Sequence, residues 1–157
     1  MRNTDILFQL ALLNSDYAAC IGTDRLEEWP EFFLDTCLYK ITTAENLKRG
    51  HEAGVIYADS KAMLRDRVAA LREANIFERQ SYRHILGMPR PEQLVDGLVA
   101  CETPFLVVRT MRDGRMDLFA TGVYLDRVRI AETDLRFAER IVVCDSVRFD
   151  TLLAIPL

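Results

Sequence analysis

Histidine is scarce in this sequence, and the motifs that carry catalytic chemistry are scarcer still. The 157 residues include two histidines, His51 and His84, and four cysteines, Cys20, Cys37, Cys101 and Cys144. Facial iron coordination needs two histidines and a carboxylate held together, yet one histidine falls in a polar stretch and the other in a strand-like run beside Arg83. A Rieske cluster needs paired Cys-x-His and Cys-x-x-His elements, and neither occurs. No two cysteines have the spacing of a zinc or redox site. Each has an apolar neighbour and reads as a small hydrophobe in a reduced, cytoplasmic core. The seven glycines form no Gly-x-Gly-x-x-Gly fingerprint, no phosphate loop and no Gly-x-Ser-x-Gly elbow.

Long hydrophobic runs are also missing. No stretch of about 18 apolar residues occurs, which excludes a membrane-spanning helix. The opening Met1-Arg2-Asn3-Thr4-Asp5 carries one basic residue, and the apolar stretch after it is broken by Gln9, Asn14 and Asp16, which argues against a secretory signal. Basic excess is lacking too: 24 Asp+Glu outnumber 20 Lys+Arg, for a net charge of −4, so nucleic acid is not an expected partner. What is present is 50% hydrophobic and 28% charged residues, at a length that suits one domain spanning 1–157. Such a chain buries roughly 70% of the surface its unfolded form exposes and needs no disulfide or metal staple.

Apolar residues at Ile6, Leu10, Leu13, Tyr17 and Ile21 recur at helical spacing and predict a helix over 4–21, stopped at Gly22. Thr23 or Asp24 is placed to cap a second, short helix, with Glu27 and Glu28 in its first turn and Pro30 limiting it. Trp29, Phe32 and Phe33 supply an aromatic wedge. Residues 37–42 alternate as a strand does, and 44–54 are polar with room for a helical turn. Asp59 or Ser60 then caps a strong helix whose buried stripe is Met63, Leu64, Val68 and Leu71. Residues 1–36 hold two basic residues against seven acidic ones, whereas 61–83 hold six basic against three acidic. That change of sign suits either two solvated faces or packing against an oppositely charged partner surface.

The second half changes period. Residues 82–88, 98–112, 115–130 and 135–146 read as strands, with Thr103-Pro104 marking a bulge or an edge position. Asp113-Gly114 is the strongest hairpin signal. A two-residue turn there sets Met111 opposite Met116, Val107 opposite Ala120 and Val108 opposite Phe119. It also sets Arg112 opposite Arg115, an unfavourable like-charge pair that a partner's carboxylate would relieve. Helices followed by long antiparallel strands predict an α+β fold with the helices against one face of a curved sheet.

One catalytic arrangement stays open on the residues alone. A curved sheet closed by helices makes a conical apolar pocket, where a buried carboxylate beside a His or Tyr moves a proton. Asp24, Tyr39, Asp59, His84 and Asp145 are the candidates, with a carboxylate as base and His84 as its partner. The plainer alternative has Asp59 capping a helix, His84 hydrogen-bonded within or between chains, and the pocket filled by Phe, Met and Leu.

Read together, Tyr57-Ala58-Asp59-Ser60-Lys61-Ala62-Met63-Leu64-Arg65-Asp66-Arg67-Val68 and Tyr82-Arg83-His84-Ile85-Leu86-Gly87 resemble the small (β) subunit of aromatic-ring-hydroxylating dioxygenases. The Asp-Ser, the Met-Leu-x-Asp-Arg and the Arg-His leading a strand follow the family's order. The likeness runs nearly end to end, through Trp29-Pro30-x-Phe32-Phe33, residues 140–146 and Ile155-Pro156-Leu157. Residues 71–79, 119–126 and 150–157 look most like the terephthalate-oxidising branch, while the salicylate, anthranilate and benzoate branches share the general frame.

The resemblance implies an NTF2-like/cystatin-like roll, with N-terminal helices packed on a curved, mostly antiparallel sheet. It implies a non-catalytic structural β subunit in a heterohexamer of three α and three β chains. The α subunit would carry a Rieske 2Fe–2S cluster and a mononuclear non-haem Fe(II), and NADH would supply electrons through a separate reductase. The holoenzyme would add dioxygen across a ring double bond of terephthalate to give a cis-dihydrodiol, while this chain would bind no metal or cofactor. Its functional residues would then be contact residues. Asp59, Ser60, Arg67, Tyr82, Arg83, His84, Arg112 and Arg115 are the candidates, Arg67 and Arg83 foremost because guanidinium forks fix carboxylates bidentately. The alternatives are a free-standing dehydratase or isomerase of the same roll, using a pocket Asp with His84, and a ligand-binding or purely oligomeric roll.

Overall fold

The computed structural model describes residues 4–50, 56–74, 80–132, 134–146 and 155–157. His51 and parts of the segments 71–79 and 150–157 lie outside the described residues. Helix α1 (Thr4–Gly22) buries Leu10, Leu13, Tyr17 and Ile21 as their spacing predicts, and Asn14 and Cys20 with them. No helix among the described residues is long and apolar enough to cross a membrane. The expected second helix is a short 3-10 turn, Trp29–Phe32, that Pro30 opens rather than limits. A proline has no N–H to leave unbonded at the start of a helix, so it fits there. Asp24 does not cap it, because its backbone takes a left-handed conformation (φ 59°) and its carboxylate turns to Arg72.

Strand β1 (Phe33–Thr43) begins four residues earlier than the alternation suggests. Thr43 caps α2 (Ala44–Lys48), its hydroxyl accepting from the Asn46 N–H at 3.1 Å. Strand β2 (Ile56–Ser60) runs directly into α3 (Lys61–Glu73). Of the two candidate caps, Ser60 is the one used, accepting from the Met63 N–H at 3.2 Å. Asp59 is the last residue but one of the strand, and its own N–H points to the Met63 Sδ at 3.5 Å. The helix buries Leu64 and Val68 as expected, whereas Met63 is exposed.

The remaining strands are β3 (Gln80–Leu86), β4 (Arg90–Pro91), β5 (Leu98–Met111), β6 (Met116–Ala131) and β7 (Asp134–Cys144). They form one sheet in the order β2-β1-β7-β6-β5-β3, with β4 beside β5. Each neighbouring pair is antiparallel except β1 with β7, which is parallel. Pro104 falls where the partner of β5 changes from β3 to β4, an edge position that asks nothing of its missing N–H. The buried side chains of α1, the 3-10 turn and the inner face of the sheet form one contiguous core.

The β5–β6 hairpin departs from the expected register at its tip. Val107 does face Ala120, but Val108 faces Leu118 and Thr110 faces Met116. The Met111 N–H bonds Arg115 O at 2.8 Å and the Gly114 N–H bonds Met111 O at 2.9 Å, with Gly114 at φ 88°. This is a three-residue loop closed by a left-handed glycine. Arg112 therefore sits in the loop and does not oppose Arg115. The extra residue is returned at Phe119, which bulges inward so that the longer register resumes at Ala120.

Gly122 shows how tightly β6 and β7 approach. A Cβ built there would lie 1.9 Å from the Val143 carbonyl oxygen, so any side chain must push the strands apart. Gly122→Ala is expected to cost about 3 kcal/mol, read by calorimetry as a fall of roughly 10 °C in Tm.

Candidate functional site

The inner face of the roll is where a conical pocket would lie, and cross-strand register decides what fills it. Asp126 on β6 stands opposite Arg140 on β7, and Tyr39 on β1 stands beside Arg140 on its other side. The Arg140 guanidinium grips the Asp126 carboxylate with two hydrogen bonds of 2.8 Å, from Nε and Nη2. Nη2 also donates to Asn14 Oδ1 at 2.5 Å, and the Asn14 amide donates to Thr103 Oγ1 at 3.2 Å. The Arg140 Cζ lies 3.9 Å from the ring centre of Tyr124, 4.0 Å from that of Phe137 and 4.4 Å from that of Tyr17. Moving such a pair out of water is costly, and the bidentate geometry and the three ring faces offset that cost. Burial pushes the Asp126 carboxyl up, with Arg140 pulling the other way. Despite its own burial, Arg140 is held protonated by Asp126.

A second tier seals the wide end of this cluster. Tyr17 accepts from the Trp29 indole at 3.1 Å and donates to the Leu157 carbonyl at 2.8 Å. Tyr39 donates to the same oxygen at 2.8 Å and accepts from the Leu157 N–H at 3.1 Å. Towards the hairpin, Arg109 grips Asp117 at 2.6 and 3.1 Å and lies 4.6 Å from the Phe119 ring centre. That ring stacks on Tyr82 at 5.0 Å.

The five proton-transfer candidates are not brought together. Asp24 is bound to Arg72 on the surface, Asp59 is exposed at the β2 edge, and Asp145 accepts from the Thr121 hydroxyl at 2.9 Å near the end of β7. Tyr39 is fully buried against Leu157. His84 lies on β3, at the opposite edge of the sheet from Asp59. It is 8% exposed and neither ring nitrogen has a hydrogen-bond partner among the described residues. Burial, aided by the charge of Arg140, lowers its pKa to about 4. The carboxylate that does lie inside, Asp126, has both oxygens committed to Arg140. Burial raises all four thiols, Cys20 to about 11 and Cys144 to about 12, so none is poised as a nucleophile. Among the described residues, no three of His, Cys, Asp and Glu converge as a ligand set for a metal.

The contact candidates divide by face. Tyr82 and His84 point inward; Arg83 points outward, and Arg112 and Arg115 stand exposed at the hairpin tip. Arg67 is half-buried on α3, and Ser60 is occupied as a cap. Much of the opposed charge between the opening segment and α3 is consumed within the chain. Arg72 binds Glu27 at 2.6 Å and Asp24 at 3.0 Å; Arg65 binds Glu31 at 3.0 Å; Lys61 reaches Glu31 and Asp35 at 3.5 and 3.4 Å. Hydrogen bonds from Arg72 lower the Glu27 pKa to about 2.

Asn14, Asp126, Arg140 and Arg109 are the residues that sequence reasoning passed over. Asn14 shares the helical stripe of Leu10, Leu13 and Tyr17, and Asp126 shares the inward parity of Tyr124 and Val128. A polar residue at an apolar position was the available signal.

Two measurements probe this interior. Asp126→Ala strands a buried guanidinium and is expected to cost about 3–5 kcal/mol in urea unfolding, with Asp126→Leu/Arg140→Met losing clearly less than the sum of the single changes. Between pH 6.5 and about 4 the unfolded chain binds a proton at residue 84 that the folded chain refuses, so stability falls as pH falls through that window. From pH 7 to pH 5 the native chain is expected to lose about 2 kcal/mol more than His84→Leu does.

Comparison with known proteins follows the same outline. The family profile described as ring hydroxylating beta subunit matches residues 18–151. The terminal oxygenase component subunit beta 1 of terephthalate 1,2-dioxygenase from Comamonas sp. is 46% identical over 149 residues, covering 95% of this chain and 97% of that one. The anthranilate 1,2-dioxygenase small subunit of Burkholderia cepacia is 36% identical over 150 residues, covering 96% and 93%. A crystal structure described as the β subunit of an aromatic-ring-hydroxylating dioxygenase from Novosphingobium aromaticivorans superposes with a TM-score of 0.90 at 36% identity, covering 98% of each chain.

Proposed function

The chain belongs to the ring hydroxylating beta subunit family, and we propose that it is the non-catalytic structural subunit of an oxygenase that hydroxylates terephthalate. In this reading three copies assemble with three α subunits in the cytoplasm. The α chains hold the Rieske cluster and the mononuclear iron, and a separate reductase brings electrons from NADH. Higher identity to the terephthalate relative than to the anthranilate one supports the substrate. Four buried, unpaired cysteines support a reducing compartment.

The outer face of the sheet carries the reading. An antiparallel sheet with one face in water alternates apolar-in with polar-out. Here many outward positions of four adjacent strands are apolar as well, between the charged outward residues Arg83, Glu102, Arg127 and Glu139. Ile85, Leu106 and Thr121 stand in one cross-strand row, Arg83, Val108 and Leu118 in the next, and Leu125 and Ile141 in another. Ile85, Met116 and Leu118 are exposed by 55%, 69% and 65%. No helix among the described residues packs on this side of β5 and β6. An exposed apolar patch with charged residues around it marks a surface that another chain covers. An enzymatic reading of the lone chain instead has to work with a carboxylate locked to Arg140 and a histidine that resists protonation.

Co-expression with a Rieske-type α chain tests the proposal. The two chains are expected to co-elute with a native mass of three plus three, the small chain alone being colourless and inert. Iron retained by the purified small chain, or turnover without its companion, would overturn it. Val123→Glu/Leu125→Glu, on the outer face of β6, is expected to cut co-elution about tenfold or more while leaving the Tm of the isolated chain within a few degrees.

A further inference from the structure

The two edges of the sheet carry opposite charge that no ion pair among the described residues neutralises. At the β3 edge, Arg83 and Ile85 point outward, next to Leu118 and Met116 across β5. The hairpin tip beside them adds Arg112 and Arg115, with the carboxylate of Asp113 between them accepting from the Arg115 N–H at 2.9 Å. None of these three arginines makes an ion pair among the described residues. At the far edge, β2 displays Tyr57 and Asp59, and α3 follows it without a break. Met63, Asp66 and Glu73 are exposed along one stripe of that helix, three and seven residues apart. Met63 is tied to Asp59 through the N–H to sulfur contact, so the helix stripe and the strand edge make one patch. Tyr57 is 53% exposed and Met63 38%. Asp59, Asp66 and Glu73 make no ion pair among the described residues, although Lys61, Arg65 and Arg72 on the same helix are all engaged. Two half-buried cations adjoin the patch, Lys40 cross-strand from Tyr57 and Arg67 on the helix.

We infer that these edges bind one another between copies, the cationic β3–hairpin edge of one small subunit docking on the anionic β2–α3 edge of the next. The inference rests on the reading of three small subunits per assembly, and symmetry does the rest. A threefold ring cannot be closed by a self-complementary patch; it needs two different surfaces on each chain that fit each other. Either edge placed against its own copy would oppose like charges. Placed head to tail, Ile85, Met116 and Leu118 meet Tyr57 and Met63, while Arg83, Arg112 and Arg115 face Asp59, Asp66 and Glu73. That is the apolar centre with a charged rim that specific interfaces have. The edges lie at opposite ends of the strand order, which leaves a different edge for each of the two neighbours.

Charge reversal tests the pairing in the complex with the α chain and in the small chain alone, by native mass spectrometry and gel filtration. Arg83→Glu/Arg112→Glu/Arg115→Glu is expected to reduce the species with three small subunits about tenfold or more. Asp59→Lys/Asp66→Lys/Glu73→Lys is expected to do the same. The chain carrying all six changes regains complementarity and is expected to reassemble to within about threefold of the native level. Circular dichroism and Tm near native values exclude misfolding in each variant. Either triple variant assembling in threes as the native chain does, or the sixfold variant assembling no better than the triples, would overturn the pairing. A native chain that binds the α subunit but never assembles in threes also overturns it, and leaves the subunit role standing. A native chain that ignores the α subunit, yet obeys the charge swap, supports the pairing and removes the role.

Discussion

A charge buried at the centre of a small roll has to be answered by its neighbours. Arg140 is answered through Nε and Nη2 from a helix and the adjoining strand, while its Nη1 has no hydrogen-bond partner among the described residues. Asp126 meets it from the next strand, Asn14 from the helix, and Tyr17, Tyr124 and Phe137 from above and around. Because the partners come from α1, β6 and β7, the helix cannot shift along the sheet without breaking a charged hydrogen bond in a low-dielectric interior. Tyr17 extends the constraint outward, through Trp29 and through Leu157, to β1. One orientation of helix on sheet follows, and the interior is filled by the groups that enforce it.

That filling bears on function. A proton-transferring roll needs its carboxylate free and its partner imidazole able to take a proton. Here the carboxylate is doubly bonded to a guanidinium, and the imidazole is held neutral by burial beside the same positive charge. Outside, an apolar patch on the sheet and two oppositely charged edges have no ion-pair or helix partner among the described residues. A rigid interior and an uncovered exterior are what a subunit needs if its task is to hold other chains in place.

Ionic contacts in this molecule divide into two classes with different consequences. Arg72 and Arg65 bind the acidic opening segment at exposed positions, where solvent screens them and each contributes little, whereas the buried Lys61 reaches out to the exposed carboxylates of Glu31 and Asp35. Together they align α3 against the 3-10 turn and leave the opposite, acidic stripe of the helix outward. Much of the sign change along the sequence is thus settled within the chain, and the sheet edges hold part of what is left.

Periodicity alone determined the helix 4–21, the strong helix from residue 61, the long strands and the hairpin at Asp113-Gly114, because one buried face imposes its period on the residues that line it. Family resemblance supplied the roll and the subunit role. Local pattern could not reveal the parallel pairing of β1 with β7, since strand neighbours distant in sequence are chosen by packing. The inward turn of Arg140 was equally hidden. Strict alternation from Phe137 would send it outward, and only the bulge at Ala138, a matter of how β7 registers against β6, brings both side chains to the same face. The tertiary structure decided which charges are buried and which are left to a partner, because burial depends on what lies across the sheet and not on what lies next along the chain.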